Sequence, residues 1–267
     1  MFLSILRRSG ARNLCALIVF VGLLGSSASG AMKTATWVGG GAAGSYNDPV
    51  NWDILEVPVD TLTDTYIVNL IAATAVNFDV PGTGNQIFQL TLPTTSTLII
   101  GAGRDIEVTD SAAVSGDITN TAGSGIFTAP SAASSFGVRS AKINVAGAST
   151  VQLGATGTYS TPLFYGNVLS ADGVGSSLDL GSLQTIDAGW NDNSGYASYQ
   201  QIVASNGGVI DLSGVTTIIA PLRVEDRLEI IVNHDGAGVP LIDLSSLQTL
   251  SSASVGDTLF EIAADTN

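Results

Sequence analysis

Charge is scarce in this 267-residue sequence and cysteine nearly absent: 12% of the residues are charged, and Cys15 is the single thiol. The charged fraction is about half of the ~25% usual for soluble domains. The hydrophobic fraction, 45%, is ordinary, so the pattern excludes an intrinsically disordered chain. Basic residues are the rarest of the charges, nine against 23 acidic, for a formal charge of −14. Such a balance excludes a nucleic-acid partner, whose phosphates need Lys and Arg. It equally excludes electrostatic attachment to anionic lipid. Proline is limited to 8, and the 31 glycines follow no three-residue period, so collagen is excluded.

What is present begins with an expected signal peptide over residues 1–31. Arg7, Arg8 and Arg12 form a positive start, Leu14 to Leu24 an uncharged apolar run, and Gly25 to Ala31 a small-residue stretch. Cleavage after Ala28 or Ala31 fits the small-x-small rule, and export follows from it. Cys15 lies within the apolar run as a hydrophobic residue. The mature chain then keeps six basic residues against 23 acidic ones and has no cysteine. Without disulfides its core and hydrogen bonds must hold it, which is feasible at this length. No membrane span is expected in it, since a stretch such as Thr217 to Leu222 is far short of ~20 apolar residues.

Repetition is the most informative feature. Ser177-Leu178-Asp179-Leu180-Gly181-Ser182-Leu183-Gln184-Thr185-Ile186 recurs from Val209 to Ile218 and again from Leu241 to Leu250. The aspartates Asp179, Asp211 and Asp243 are 32 residues apart twice over, the mark of a repeat array. Weaker echoes at Ile143-Asn144-Val145 and Ile106-Glu107-Val108 extend the series upstream with spacings of 35 and 37. Glycine turns precede the copies: Asp172-Gly173-Val174-Gly175, Asn206-Gly207-Gly208 and Asp235-Gly236-Ala237-Gly238. Asx-Gly pairs supply the positive φ of sharp corners.

Between turns the residues alternate with a period of two. From Leu222 to Val232, apolar Leu222, Val224, Leu228, Ile230 and Val232 take one face, and Arg223, Glu225, Arg227 and Glu229 the other. Val, Ile and Thr dominate, so the chain is read as nearly all strand and turn. Thirty-two residues hold about three short strands with their corners, the content of one β-helix coil. The expected fold is therefore all-β, a right-handed parallel β-helix with coils of about 32 residues. An N-terminal cap segment is expected over 32–70 and the repeats over 71–267. A leucine-rich repeat is the rival, but its repeat runs 20–29 residues and carries an Asn after the strand. A β-sandwich ranks last.

The mature N-terminus reads Thr36-Trp37-Val38-Gly39-Gly40-Gly41, then Tyr46-Asn47-Asp48-Pro49-Val50-Asn51-Trp52, then Pro58, Asp60 and Asp64 to Val68. It resembles the W-x-G-G…N-W…P segment opening the solenoids of bacterial secreted and cell-surface β-helix proteins of the autotransporter-like, adhesin type. The Ile-Asp-Leu-Ser-x-Leu-x-Thr-Ile repeats are similar to those of large surface proteins of the same kind. Those proteins usually continue into many more coils and a C-terminal anchor, which are not found in this sequence. The resemblance implies an extracellular or cell-surface location. Physically, Trp37 and Trp52 either cover the open first coil or stack on sugars.

Candidate chemistry is thin. Stacked outward one coil apart, Asp179, Asp211 and Asp243 would repel by about 0.8 kcal/mol in bulk water and about 3 at an effective dielectric of 20. Either backbone amides at the corner or Ca²⁺ must answer that charge. Asp187 and Asp192 belong to a second oxygen-rich loop with the same two readings. No other cofactor is indicated. The lone His234 sits in a turn without a second His or Cys to make a metal site. Lys33, Arg104, Arg139, Lys142, Arg223 and Arg227 are the remaining bases, and Arg223 and Arg227 read as surface ion-pair partners of Glu225. No catalytic residue is assigned, and the chain reads as leaning away from an enzyme. The expected function is a structural or adhesive solenoid with surface proteins or extracellular polysaccharide as partners. A carbohydrate-active β-helix, whether polysaccharide lyase, hydrolase or binding module, is the alternative.

Overall fold

Short alternating runs of Val, Ile, Leu and Thr, each bounded by a glycine or Asx corner, fold into parallel strands that stack coil on coil. The computed structural model describes residues 30–61, 63–72, 74–139, 141–162, 165–191, 197–234, 238–252 and 259–265. The expected signal peptide at 1–31 lies almost wholly outside them.

Three all-parallel sheets form a parallel β-helix. The first runs from Ala31–Thr36 through Asp64–Asn69, Asn85–Leu92, Asp105–Val114, Ile126–Ala129, Thr150–Leu153, Ser177–Asp179 and Val209–Asp211 to Leu241–Asp243. The second runs from Ala75–Phe78 through Thr97–Ile100, Asp117–Asn120, Ile143–Ala146, Gly166–Asp172, Tyr199–Ser205 and Arg227–Asn233 to Leu259–Asp265. The third begins late and holds Thr158–Ser160, Thr185–Asp187, Thr217–Ala220 and Thr249–Ser252.

Inward side chains form continuous columns. Ile106, Phe127, Val151, Leu178 and Ile210 stack in register in the first sheet. Leu98, Ile118, Ile143, Leu169, Ile202 and Ile230 do so in the second, and Tyr159, Ile186 and Ile218 in the third. All are essentially inaccessible to water. Each such side chain contributes about 1.5–3 kcal/mol by burial, which replaces the missing disulfides. The apolar residues on both sides of each repeat aspartate point inward as the alternation requires: Leu178, Leu180, Ile210 and Leu212 are fully buried.

The coil length changes along the axis. Asp179, Asp211 and Asp243 pair in register, so the 32-residue period is the structural one in the last coils. Upstream, the first-sheet partners Glu107, Thr128, Gln152 and Asp179 are 21, 24 and 27 residues apart. Among the described residues the 21- and 24-residue coils have no strand in the third sheet, and the 27-residue coil brings its first, Thr158–Ser160. One of the two upstream echoes thus needs correction. Ile143-Asn144-Val145 belongs to the second sheet, where Ile143 pairs with Leu169, whereas Glu107 and Asp179 lie in the first.

The alternation read from Leu222 also needs correction. Its strand begins only at Arg227, and Val224 is exposed in the corner before it. That corner sinks Asp226 completely, its Oδ1 accepting from the Ser198 amide at 2.9 Å. At the corner into the first sheet, Gly208 is needed for space. A Cβ there would lie 2.2 Å from the Ala171 carbonyl oxygen of the preceding coil.

Candidate functional site

The repeat aspartates stand outward in one row, and the corner that follows each supplies its donor. Asp179 Oδ1 accepts from the Gly181 amide at 3.0 Å, Asp211 Oδ1 from Ser213 at 2.8 Å, and Asp243 Oδ1 from Ser245 at 2.8 Å. This is the Asx turn, a carboxylate holding the amide two residues on. The row continues upstream as Gln152, Thr128, Glu107 and Gln86. Gln152 Nε2 donates to Asp179 Oδ2 at 2.8 Å, and Gln86 Nε2 to Glu107 Oε2 at 2.7 Å. The same arrangement recurs with Gln89 on Asp110 and Gln201 on Glu229, both at 2.7 Å. In each pair a glutamine donates to the acid of the following coil.

Asp187 sits in the third sheet, apart from that row. Its Oδ1 accepts from the Gly189 amide at 2.8 Å and its Oδ2 from Arg139 at 3.1 Å. Asp192, the other weak calcium candidate, lies outside the described residues. Among the described residues no group of three or more His, Cys, Asp or Glu side chains is placed to hold a metal ion. The row offers one carboxylate per coil, already engaged by an amide, where Ca²⁺ takes 6–8 oxygens.

Lys33, Arg139, Lys142, Arg223 and Arg227 are engaged as well. Lys33 Nζ lies 2.7 Å from Glu56 and 3.1 Å from Asp64, contacts that hold the ammonium above its usual range and the Glu56 carboxyl below it. Lys142 pairs with Asp117 at 3.1 Å. Arg223 pairs with Glu225, as the ion-pair reading expected. The Arg227 guanidinium lies over the Tyr199 ring, 5.0 Å from the centroid.

At the N-terminal end the two tryptophans are interior. Trp37 is 3% exposed and Trp52 fully buried, so neither offers a ring face to an external sugar. The stacking role weighed for them is therefore set aside. Their rings meet edge to face at 5.2 Å, Trp52 continues to Tyr46 at 4.7 Å, and Tyr46 to Phe78 at 4.8 Å. Trp52 Nε1 donates to the Tyr46 carbonyl at 2.9 Å and the Tyr46 hydroxyl to the Pro58 carbonyl at 2.7 Å. Buried Asn51 ties down the glycine-rich loop around them. It accepts from the Gly41 amide and donates to the Ala42 and Ser45 carbonyls, each at 2.8 Å. Asp48 caps the short 3-10 turn Pro49–Asn51, and its amide donors from Ala42 and Val50 hold its carboxyl below the usual range.

The exposed aromatic surface lies elsewhere, at the starts of three successive strands of the second sheet. Tyr165 precedes the strand Gly166–Asp172, Tyr199 opens the next strand and Arg227 the one after. Tyr165 and Tyr199 rings are 5.6 Å apart and tilted by 41°. Tyr199 pairs in register with Arg227, so it sits between a ring on the preceding coil and a guanidinium on the following one. Tyr165 keeps 64% of its surface exposed. Beside this column runs a polar one: Asn167, Gln201 and Glu229, in register. The column escapes sequence reading because its members are 34 and 28 residues apart, straddling the 32-residue period. A Tyr two residues before an Asn or Gln, as in Tyr165-Gly166-Asn167 and Tyr199-Gln200-Gln201, was the signal available.

No helix among the described residues is long and apolar enough to cross a membrane. No family model, curated protein or solved structure matches the chain.

Proposed function

We propose that the chain is an exported, non-enzymatic β-solenoid with a structural or adhesive role outside the cytoplasm, at the cell surface or in the extracellular matrix. The observation that supports this reading most directly is the engagement of the outward carboxylates. Asp179, Asp187, Asp211, Asp243, Glu107 and Glu229 each accept from a backbone amide, a glutamine or Arg139 of the same chain. Acid–base catalysis needs a carboxylate kept for the substrate proton, whereas these groups serve the stacking of coils. The partners in this reading are surface proteins and extracellular polysaccharide, met by repeated side chains on successive coils.

The test uses the exported protein on insoluble polysaccharide and on protein-coated beads. The expected result is retention on at least one surface with no release of soluble sugar over time. Progressive depolymerisation would instead establish the carbohydrate-active alternative. Intact mass of protein collected outside the cytoplasm checks export. A start between Ser29 and Met32 is expected, and a mass that retains Arg7 overturns export as a cleaved chain.

The polysaccharide-binding alternative is favoured by one feature, the exposed Tyr165 ring beside amide side chains.

A further inference from the structure

We infer that Tyr165 is a stacking site for an uncharged pyranose unit of an extracellular polysaccharide, with Asn167, Gln201 and Glu229 meeting its hydroxyl rim. The inference rests on the reading of the chain as a surface-binding solenoid and names one site on it.

Among the exposed large hydrophobic side chains of the described residues Tyr165 is the one aromatic ring, and the Tyr199 ring stands beside it. Tyr199 is unsuited to an external ligand, because Tyr165 and Arg227 lie on either side of it. Their contact instead supports Tyr165 from beneath. A supported ring with two side-chain torsions loses little freedom on binding. A pyranose is amphipathic in a matching way: its C–H face meets the negative face of an aromatic ring, and its hydroxyls project around the rim.

The adjacent column supplies the rim. Asn167 is exposed and in register with Gln201. Gln201 donates to Glu229 at 2.7 Å, which fixes the orientation of both groups. An amide offers donors and an acceptor, and a carboxylate offers acceptors, the set that hydroxyl groups require. Charge selects within the sugars. A formal charge of −14 and Glu229 at the site oppose uronates and sulfated sugars, which leaves neutral chains.

The experiment measures retention of the full protein on microcrystalline cellulose, insoluble β-1,3-glucan and xylan, with alginate and gelatin-coated beads as parallel arms. Tyr165→Ala, Tyr165→Trp and wild type are compared at equal folded fraction, checked by melting. The expected result is retention on a neutral polysaccharide that falls at least about tenfold in Tyr165→Ala and is kept in Tyr165→Trp, since the contact of the sugar C–H face is lost only with the ring. Equal retention of Tyr165→Ala overturns the site and leaves adhesion standing. Retention on gelatin or alginate alone overturns the neutral-sugar site and also leaves adhesion standing. Retention on none of the five supports overturns both.

Discussion

Arg139 donates to the carboxylate of Asp187 at 3.1 Å across 48 residues of chain, where the third sheet starts. The same guanidinium reaches the Asp187 and Gly189 carbonyls at 3.4 and 2.9 Å. Just upstream, Phe136 meets Tyr159 edge to face at 5.1 Å, and the Tyr159 hydroxyl donates to the Ala141 carbonyl at 2.7 Å. Phe136, Arg139 and Ala141 thereby lie against the first strands of a sheet that has no earlier strand among the described residues. An open edge is an invitation to pair with other chains.

Arg139→Ala should therefore lower stability by about 1–2 kcal/mol, the value of a charge-assisted contact discounted for its partial exposure. For a chain of this size that is a fall in Tm of roughly 3–6 °C. Arg139→Lys should recover little, because one ammonium cannot span three acceptors. Thermal melts of the two variants check this, and an unchanged Tm for Arg139→Ala sinks it.

Leu212 lies between Leu180 and Leu244, with no surface exposed. Leu212→Asp should cost more than about 4 kcal/mol, since it buries an unpaired charge. Its neighbour Asp211 faces outward, and Asp211→Ala should cost only about 1 kcal/mol, the value of the bond to the Ser213 amide. Denaturant midpoints compare them. A reversed order would mean that inward and outward residues had been exchanged.

Chelator should leave the melting curve in place, because the aspartate row is answered by the amides of Gly181, Ser213 and Ser245. Bound Ca²⁺ would add about 2.7 kcal/mol at a hundred times its dissociation constant. Melts in chelator and in millimolar calcium separate the two cases. A calcium-dependent rise that vanishes in Asp211→Asn would place the ion on this row.

Alkaline pH should unfold the protein through its buried tyrosines. Tyr46 and Tyr159 are fully buried, and burial raises both phenols above the usual value of 10.0. An unfolded tyrosine ionises near pH 10, so above it the unfolded chain sheds protons that the folded chain retains. Their stabilisation is complete below pH 10 and is lost as the pH climbs beyond it. Tyrosinate absorbance against circular dichroism tests this: both phenols should ionise only in the unfolding step. Ionisation of all six tyrosines while the sheet signal persists would contradict it.

Much of the architecture is legible in the sequence because the last coils repeat both composition and length. Leu178, Ile210 and Ile242 fall in register at the 32-residue spacing that the aspartates announce. The earliest coils resist the same reading, since among the described residues no third-sheet strand precedes Thr158–Ser160, and they close in fewer residues. Asn144 then matches the pattern of the aspartate row while lying in another sheet. The cap was legible as aromatic and glycine-rich, but burial of Trp37 and Trp52 depends on Tyr46, Phe78 and Asn51 folding around them. Tyr165 was overlooked because columns between coils follow strand register, and register absorbs every change in corner length.

The change of coil length has a mechanical consequence. Pulled from its ends, a stack of coils peels one turn at a time, and each turn releases the chain it contains. A 21-residue coil such as that between Glu107 and Thr128 would yield about 7 nm of extended chain, and a 32-residue coil about 11 nm, at ~3.5 Å per residue. The length released per turn thus grows along the molecule, and a force–extension trace should record steps that lengthen from the 21-residue coil through those of 24 and 27 residues to the 32-residue ones, rather than one fixed size.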